Sequence, residues 1–124
     1  MQGNPRPDPG ALRLARTLAR AALEKKAGEV RILHLGALSS ITDFFVLATT
    51  GSPRQTRGLA SALNLATRSL GRPNGAMDGD PRSSWVVLDF GEVMVHIQTE
   101  EARKFYALDQ LWADAPEIDL EDAA

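Results

Sequence analysis

The 124-residue chain carries 14 Lys and Arg against 16 Asp and Glu, a formal net charge of −2, and no cysteine. That length supports one domain with a genuine hydrophobic core and is too short for two. The charge gives no basis for an extended nucleic-acid contact and leaves room only for a local one. Without cysteine there is no disulfide framework and no thiolate chemistry, and the two histidines, His34 and His96, stand too far apart in sequence to suggest a zinc site.

The N-terminus "MQGNPRPDPG" has no charged-then-apolar leader pattern, and no apolar run approaches the roughly 20 residues that span a bilayer. A cytoplasmic protein without membrane contact is expected. Residues 1–8 read as a flexible lead-in, 9–113 as the domain and 114–124 as an acidic C-terminal tail that frays. Asp8 caps a first helix, with Pro9 at its first position, apolar residues from Leu14 onward at helical spacing, and Gly28 as the stop. "EVRILHL" and "SSITDFFVLATT" follow as strands. Ser52 and Pro53 then open a second helix along Leu59, Leu63, Ala66 and Leu70, ending at Gly71. Gly58 inside it either costs helix stability or marks a close packing contact.

"RPNGAMDGDPRSS" is loop with one short edge strand around Ala76 and Met77. "SSWVVLDFGEVMVHI" supplies two strands. Thr99 caps a last helix, "EEARKFYALDQLW", with Glu100 and Glu101 in the first turn, where the helix dipole favours them. Phe105, Leu108, Leu111 and Trp112 are expected to anchor this helix and a terminal turn onto the core. The order predicts a single-domain α/β sandwich, a mixed β-sheet of about four or five strands covered by helices.

Gly91 and Glu92 as a two-residue type II′ turn fix the register of the strands around them. Phe90 then opposes Val93, Leu88 opposes Val95 and Val86 opposes Ile97, all on one apolar face destined for burial under helices. The other face sets Trp85 across from Gln98, Val87 across from His96, and Asp89 across from Met94. Such a mixed surface resembles the centre of a protein interface; the competing reading folds the segment around Leu111 and Trp112 over it. Trp85, Val87, Asp89, Met94 and His96 are the candidate partner-binding residues. Asp89 and His96, diagonal neighbours, lack a nucleophile or oxyanion donor to complete a catalytic site. "TTGSPRQ" has the makings of an anion site at a helix N-terminus, although ordinary capping gives the same letters. Asp78 and Asp80 faintly suggest paired metal-binding carboxylates, but they lie in a Gly/Pro-rich loop. No cofactor, metal or catalytic residue is assigned.

"SSITDFFVLATTGSPRQ", "WVVLDFGEVMVHI" and "EEARKFYALDQLW" occur in this order within about residues 9–113 and together resemble the RsfS family of ribosomal silencing factors, also called Iojap. Asp78-Gly79 stands where the family pattern has a Glu-Gly pair. The resemblance implies a nucleotidyltransferase-like fold without catalytic carboxylates and a non-enzymatic role. It also implies binding to the large ribosomal subunit through its fourteenth protein, blocking small-subunit joining when nutrients are scarce, with the binding surface at Trp85 and its neighbours. The rival readings are a metal-dependent nucleotide-handling enzyme using Asp78, Asp80 and Asp89, and a self-associating scaffold or homodimer built on the same face.

Overall fold

In the computed structural model, which describes residues 6–120, Asp8 accepts a hydrogen bond from the Ala11 amide at 2.9 Å and Pro9 opens helix α1 (Pro9–Glu24). The helix stops earlier than Gly28 suggests. Lys26 adopts φ +62°, its amide bonds to the Leu23 carbonyl and the Ala27 amide to the Ala22 carbonyl, so the chain turns in a Schellman-type cap with lysine where glycine is usual. Gly28 instead begins strand β1 (Gly28–His34), and β2 (Phe44–Thr49) pairs with it antiparallel.

Helix α2 (Pro53–Arg68) starts as expected, with Ser52 accepting from the Gln55 amide. After Arg68 it closes, as expected, at Gly71, which takes φ +74° while its amide bonds to the Arg68 carbonyl and the Arg72 amide to the Thr67 carbonyl. A Cβ added at Gly58 would meet nothing within 4 Å, so no packing contact explains this glycine. Gly58→Ala should therefore stabilise the fold by about 0.5–1 kcal/mol, read as a melting temperature higher by a few degrees. An unchanged or lower melting temperature would show that the position is constrained after all.

Strands β3 (Ala76–Asp78), β4 (Trp85–Asp89) and β5 (Val93–Gln98) follow. The β4–β5 register is the one anticipated: Val86 opposes Ile97, Leu88 opposes Val95, Val87 opposes His96 and Asp89 opposes Met94. Gly91 takes φ +91°, a conformation that favours glycine, and the Phe90 amide bonds to the Val93 carbonyl at 2.9 Å.

The C-terminal half departs from expectation in two ways. The single last helix is broken into α3 (Glu100–Tyr106) and α4 (Leu108–Leu111) by Ala107, which sits in the left-handed region at φ 49°, ψ 48°. Leu108 is buried, but Phe105 and Leu111 are 81% and 72% exposed, so neither is an anchor. The second departure is strand β6 (Glu117–Ile118), which pairs antiparallel with β1. Ile118 and Leu120 pack against the main core, so the segment expected to fray closes the sheet edge; the rest of that tail, like residues 1–5 of the lead-in, lies outside the described residues.

The sheet has six strands among the described residues, ordered β3-β4-β5-β2-β1-β6, not four or five. It is mixed because β2 and β5 run parallel at its centre, joined by a crossover that contains α2. Leu14 and Leu18 of α1 and Leu59 and Leu63 of α2 meet Phe44, Val46, Val95 and Ile97 in the main core on one face. Leu33, Phe45 and Leu47 form a smaller cluster with Leu108 and Ala115 on the other. No helix among the described residues is long and apolar enough to cross a membrane.

Candidate docking surface

Side chains alternate along β4 and β5, so Trp85, Val87, Asp89, Met94 and His96 all project from the face opposite α1 and α2. The short helices α3 and α4 and the turn around Trp112 cover only part of that face. Trp112 packs edge-on against Phe45, ring centroids 5.6 Å apart, and is half-buried. Val87, Asp89 and Met94 remain half-exposed. Beside them an apolar cavity of about 340 Å³ opens between Leu38, Ile41, Phe45, Met94 and Trp112, and Ile41 on its rim is 74% exposed.

Trp85 is half-buried and held from two sides. Its indole N–H donates to Nδ1 of His96 at 3.1 Å, and its ring lies 4.5 Å from that of Tyr106 in α3. His96 itself is only 7% exposed, packed edge-on against Phe45 at 4.3 Å. It therefore reaches the surface through the tryptophan it orients, not as a lining residue in its own right. Asp89 accepts from the Gly91 amide at 2.7 Å and belongs to the turn. Neither Asp89 nor His96 bonds to the other, so the diagonal neighbours make no acid–base pair.

Burial pushes His96 down to about 4 and lowers His34 as well. Accepting from Trp85 requires an unprotonated Nδ1, so the imidazole is neutral with its hydrogen on Nε2, a buried atom that meets no partner in the structure. With the folded pKa below the ordinary 6.5, the unfolded chain binds the proton more readily. The stability this provides is complete above pH 6.5 and is lost as the pH falls toward 4, up to about 3 kcal/mol for His96. His96→Gln, which keeps an acceptor and cannot titrate, should flatten the decline in urea stability between pH 6.5 and 4 relative to wild type. An undiminished slope would assign the titration to His34 or to the carboxylates.

Behind the face lies an ionic network that fixes α3 and α4. Arg103, 6% exposed, clamps Asp109 through Nε at 2.9 Å and Nη2 at 3.0 Å and donates from Nη1 to Thr49 Oγ1 of β2. Arg31 of β1 bonds to Asp109 as well and holds Glu117 of β6 at 2.7 and 3.1 Å. The Arg103 guanidinium, more than any other group, holds the Asp109 carboxyl down to about 2. The hydrogen bonds thus span the left-handed residue Ala107 and tie five elements together. Its members are scattered from position 31 to 117, and no local pattern in the sequence announces them.

The other sequence candidates resolve into structure. At the α2 N-terminus, Ser52 Oγ accepts from Gln55 N and Gln55 Oε1 from Gly51 N at 2.7 Å, so those donors are occupied by capping rather than offered to an anion. Asp78 ends β3 on the docking side, opposite Val87. Asp80 lies in the next turn, in a salt bridge with Arg82. Among the described residues no three His, Cys, Asp or Glu side chains converge as a metal site would require. Missed from the sequence are Tyr106, whose ring packs tilted against Trp85, and the exposed apolar residues Ile41 and Phe105 beside the face. An unbroken helix through Phe105 and Tyr106 would turn Phe105 inward, and the break at Ala107 leaves it outside.

Residues 8–124 match the family model described as ribosomal silencing factor during starvation. Over 98 residues the chain is 34% identical to the ribosomal silencing factor RsfS of Halalkalibacterium halodurans, covering 79% of this chain and 84% of that one. Over 103 residues it is 30% identical to RsfS of Bacillus subtilis, covering 83% and 87%. It is also 34% identical over 115 residues to the chloroplastic protein Iojap of Arabidopsis thaliana, covering 91% of this chain and 47% of that longer one. Among solved structures, a Bacillus halodurans protein superposes with a TM-score of 0.71 at 28% identity over 90% of this chain and 99% of that one. A Chromobacterium violaceum protein superposes at 0.76 with 24% identity, over 82% and 85%, which speaks to the fold alone. A match along nearly the whole chain, with relatives above 30% identity and the same sheet-and-helix framework, places this protein in the RsfS family of ribosomal silencing factors.

Proposed function

We propose that this chain docks onto the large ribosomal subunit through the fourteenth protein of that subunit and, by occupying the place where the small subunit must pack, represses translation without a chemical step. The observation that carries this reading is Trp85: a tryptophan held by His96 and Tyr106 in the middle of a sheet face that no helix fully covers. Such a residue presents a rigid aromatic surface at little further entropic cost, the property of interface hot spots. Met94, Val87 and the apolar cavity beside Ile41 extend the surface, and Asp78 and Asp89 give it an acidic edge that suits a basic partner.

In this reading the sandwich is nucleotidyltransferase-like in shape and is used for docking, since Asp80 is bound to Arg82 and Asp89 to its own turn. Co-sedimentation with isolated large subunits, with and without small subunits, tests it. The chain should pellet with large subunits and reduce the recovery of joined ribosomes, and a variant carrying Asp78→Ala and Asp80→Ala should still do both, weakened only by the loss of the Asp78 charge at the edge of the surface. Loss of all function in that double variant would favour a metal-dependent nucleotide enzyme. Light scattering decides whether the face also supports a homodimer, in which case dimer and ribosome complex must compete for Trp85.

A further inference from the structure

A net charge of −2 conceals a strong segregation. Residues 8–26 and 52–72, which build α1, α2 and their caps, hold nine of the fourteen Lys and Arg but only two of the sixteen Asp and Glu, the cap Asp8 and Glu24. The rest of the chain has five basic residues against fourteen acidic ones. The basic residues are not scattered around the two helices. At 100° per residue, Arg54, Arg57 and Arg68 of α2 fall within a sector of about 60°, on the side away from buried Leu59 and Leu63. Arg13 and Arg20 of α1, seven residues apart, fall within about 20° of one another and about 100–160° around the helix from Leu14 and Leu18.

All five arginines are exposed, and none is in a salt bridge with a described residue. Arg57 does feel Asp80, but that carboxylate is bound to Arg82 at 2.9 Å. Arg72 is excluded from the set because both of its terminal nitrogens are 2.8 Å from Glu92. Two helices in contact thus each present exposed guanidinium groups on the side away from their buried leucines. Arg54 and Arg68 are about 21 Å apart along the axis, and packed helices typically lie about 8–10 Å apart.

We infer that the outer surface of the α1–α2 layer is a second contact surface, one that binds the phosphate backbone of RNA on the side of the domain opposite Trp85. Guanidinium groups in rows match phosphates spaced along a strand, each pair able to form two parallel hydrogen bonds, and arginine outnumbers lysine in this layer by seven to two. An anionic membrane is the poorer fit, because both helices spend their apolar faces on the protein's own core and the large apolar residues they leave exposed, Leu23 and Leu65, are single side chains and not a row that could insert. In naming RNA the inference rests on the ribosomal role proposed above. The two surfaces together would let the domain hold protein on one side and RNA on the other, with an affinity greater than either contact alone provides.

The test is fluorescence anisotropy with a 20-base-pair RNA duplex of arbitrary sequence, across a salt series from 50 to 200 mM. Wild-type protein should bind with a steep salt dependence. The triple variant Arg54→Gln, Arg57→Gln, Arg68→Gln, with an unchanged melting temperature, should bind at least about tenfold more weakly at 50 mM and show a logarithmic salt slope smaller by about 2 to 3. Lys104→Gln, on the acidic side, should change neither. Trp85→Ala separates the two surfaces: it should lose large subunits in co-sedimentation yet keep the RNA duplex. A wild-type chain that ignores the duplex, a triple variant that binds it normally, or binding that appears only with vesicles containing anionic phospholipid would each overturn the inference. So would salt-sensitive self-association through the acidic side of a second copy in place of RNA binding.

Discussion

Trp85→Ala is expected to leave a folded chain whose affinity for large ribosomal subunits falls by roughly thirtyfold or more, the loss of about 2 kcal/mol typical of a central interface tryptophan. The fold should survive because Trp85 is half-buried at the margin of the smaller cluster and contributes nothing to the main core between the helices and the sheet. Some stability must be lost, since truncation removes the Tyr106 contact and leaves His96 Nδ1 without its donor, a cost of about 1–3 kcal/mol. Trp85→Phe separates the two contributions. It keeps an aromatic ring against Tyr106 but cannot donate to His96, so intermediate binding would mean that the histidine's hold on the ring matters to docking. A truncated variant that unfolds would put Trp85 in the core, and one that binds normally would remove the docking face from β4 and β5.

The second large effect concerns Asp109→Ala, which should destabilise the protein by about 3–5 kcal/mol and shift its urea midpoint accordingly. The magnitude arises less from the attraction lost than from what is left behind: Arg103 stays buried with Thr49 as its remaining hydrogen-bond partner. Replacing both partners, Arg103→Met with Asp109→Leu, should therefore cost less than Asp109→Ala alone. If the double variant is the less stable, the pair itself and not the orphaned charge is what holds α3 and α4 in place. Acid should mimic the single substitution. The folded pKa of Asp109 lies near 2, below the ordinary value, so its contribution of about 2 kcal/mol is present above pH 4 and lost as the pH falls toward 2. Because α3 carries Tyr106, weakened ribosome binding should accompany the structural loss.

Much of this protein is decided by residues near one another in the sequence. Asp8, Ser52 and Thr99 each supply a side-chain oxygen that satisfies a free amide three residues on, so the three helix starts are visible in the letters. The β4–β5 register follows from Gly91 and strict alternation, because a slip of one residue would turn six apolar side chains toward water. That same alternation puts Trp85, Val87 and Met94 on the face away from the helices, and the three quoted segments point to the family. Tertiary structure decided the rest, wherever the deciding partner lies far along the chain. β2 sits beside β5 because a parallel pair needs a long crossover, and a strand's own residues do not specify which neighbour will cross to it. His96 is buried by Phe45 and Trp85 from two other strands, which changes it from a surface residue to the support of one. Ala107 bends left-handed where the sequence shows an uninterrupted helical run, and Arg103, Arg31 and Asp109 bond across the bend; β6 forms because β1 has an open edge beside Arg31. Charge divides in the same way: composition determines the total of −2, but only the packing of α1 and α2 onto the core through Leu14, Leu18, Leu59 and Leu63 leaves Arg13, Arg20, Arg54, Arg57 and Arg68 exposed on that layer.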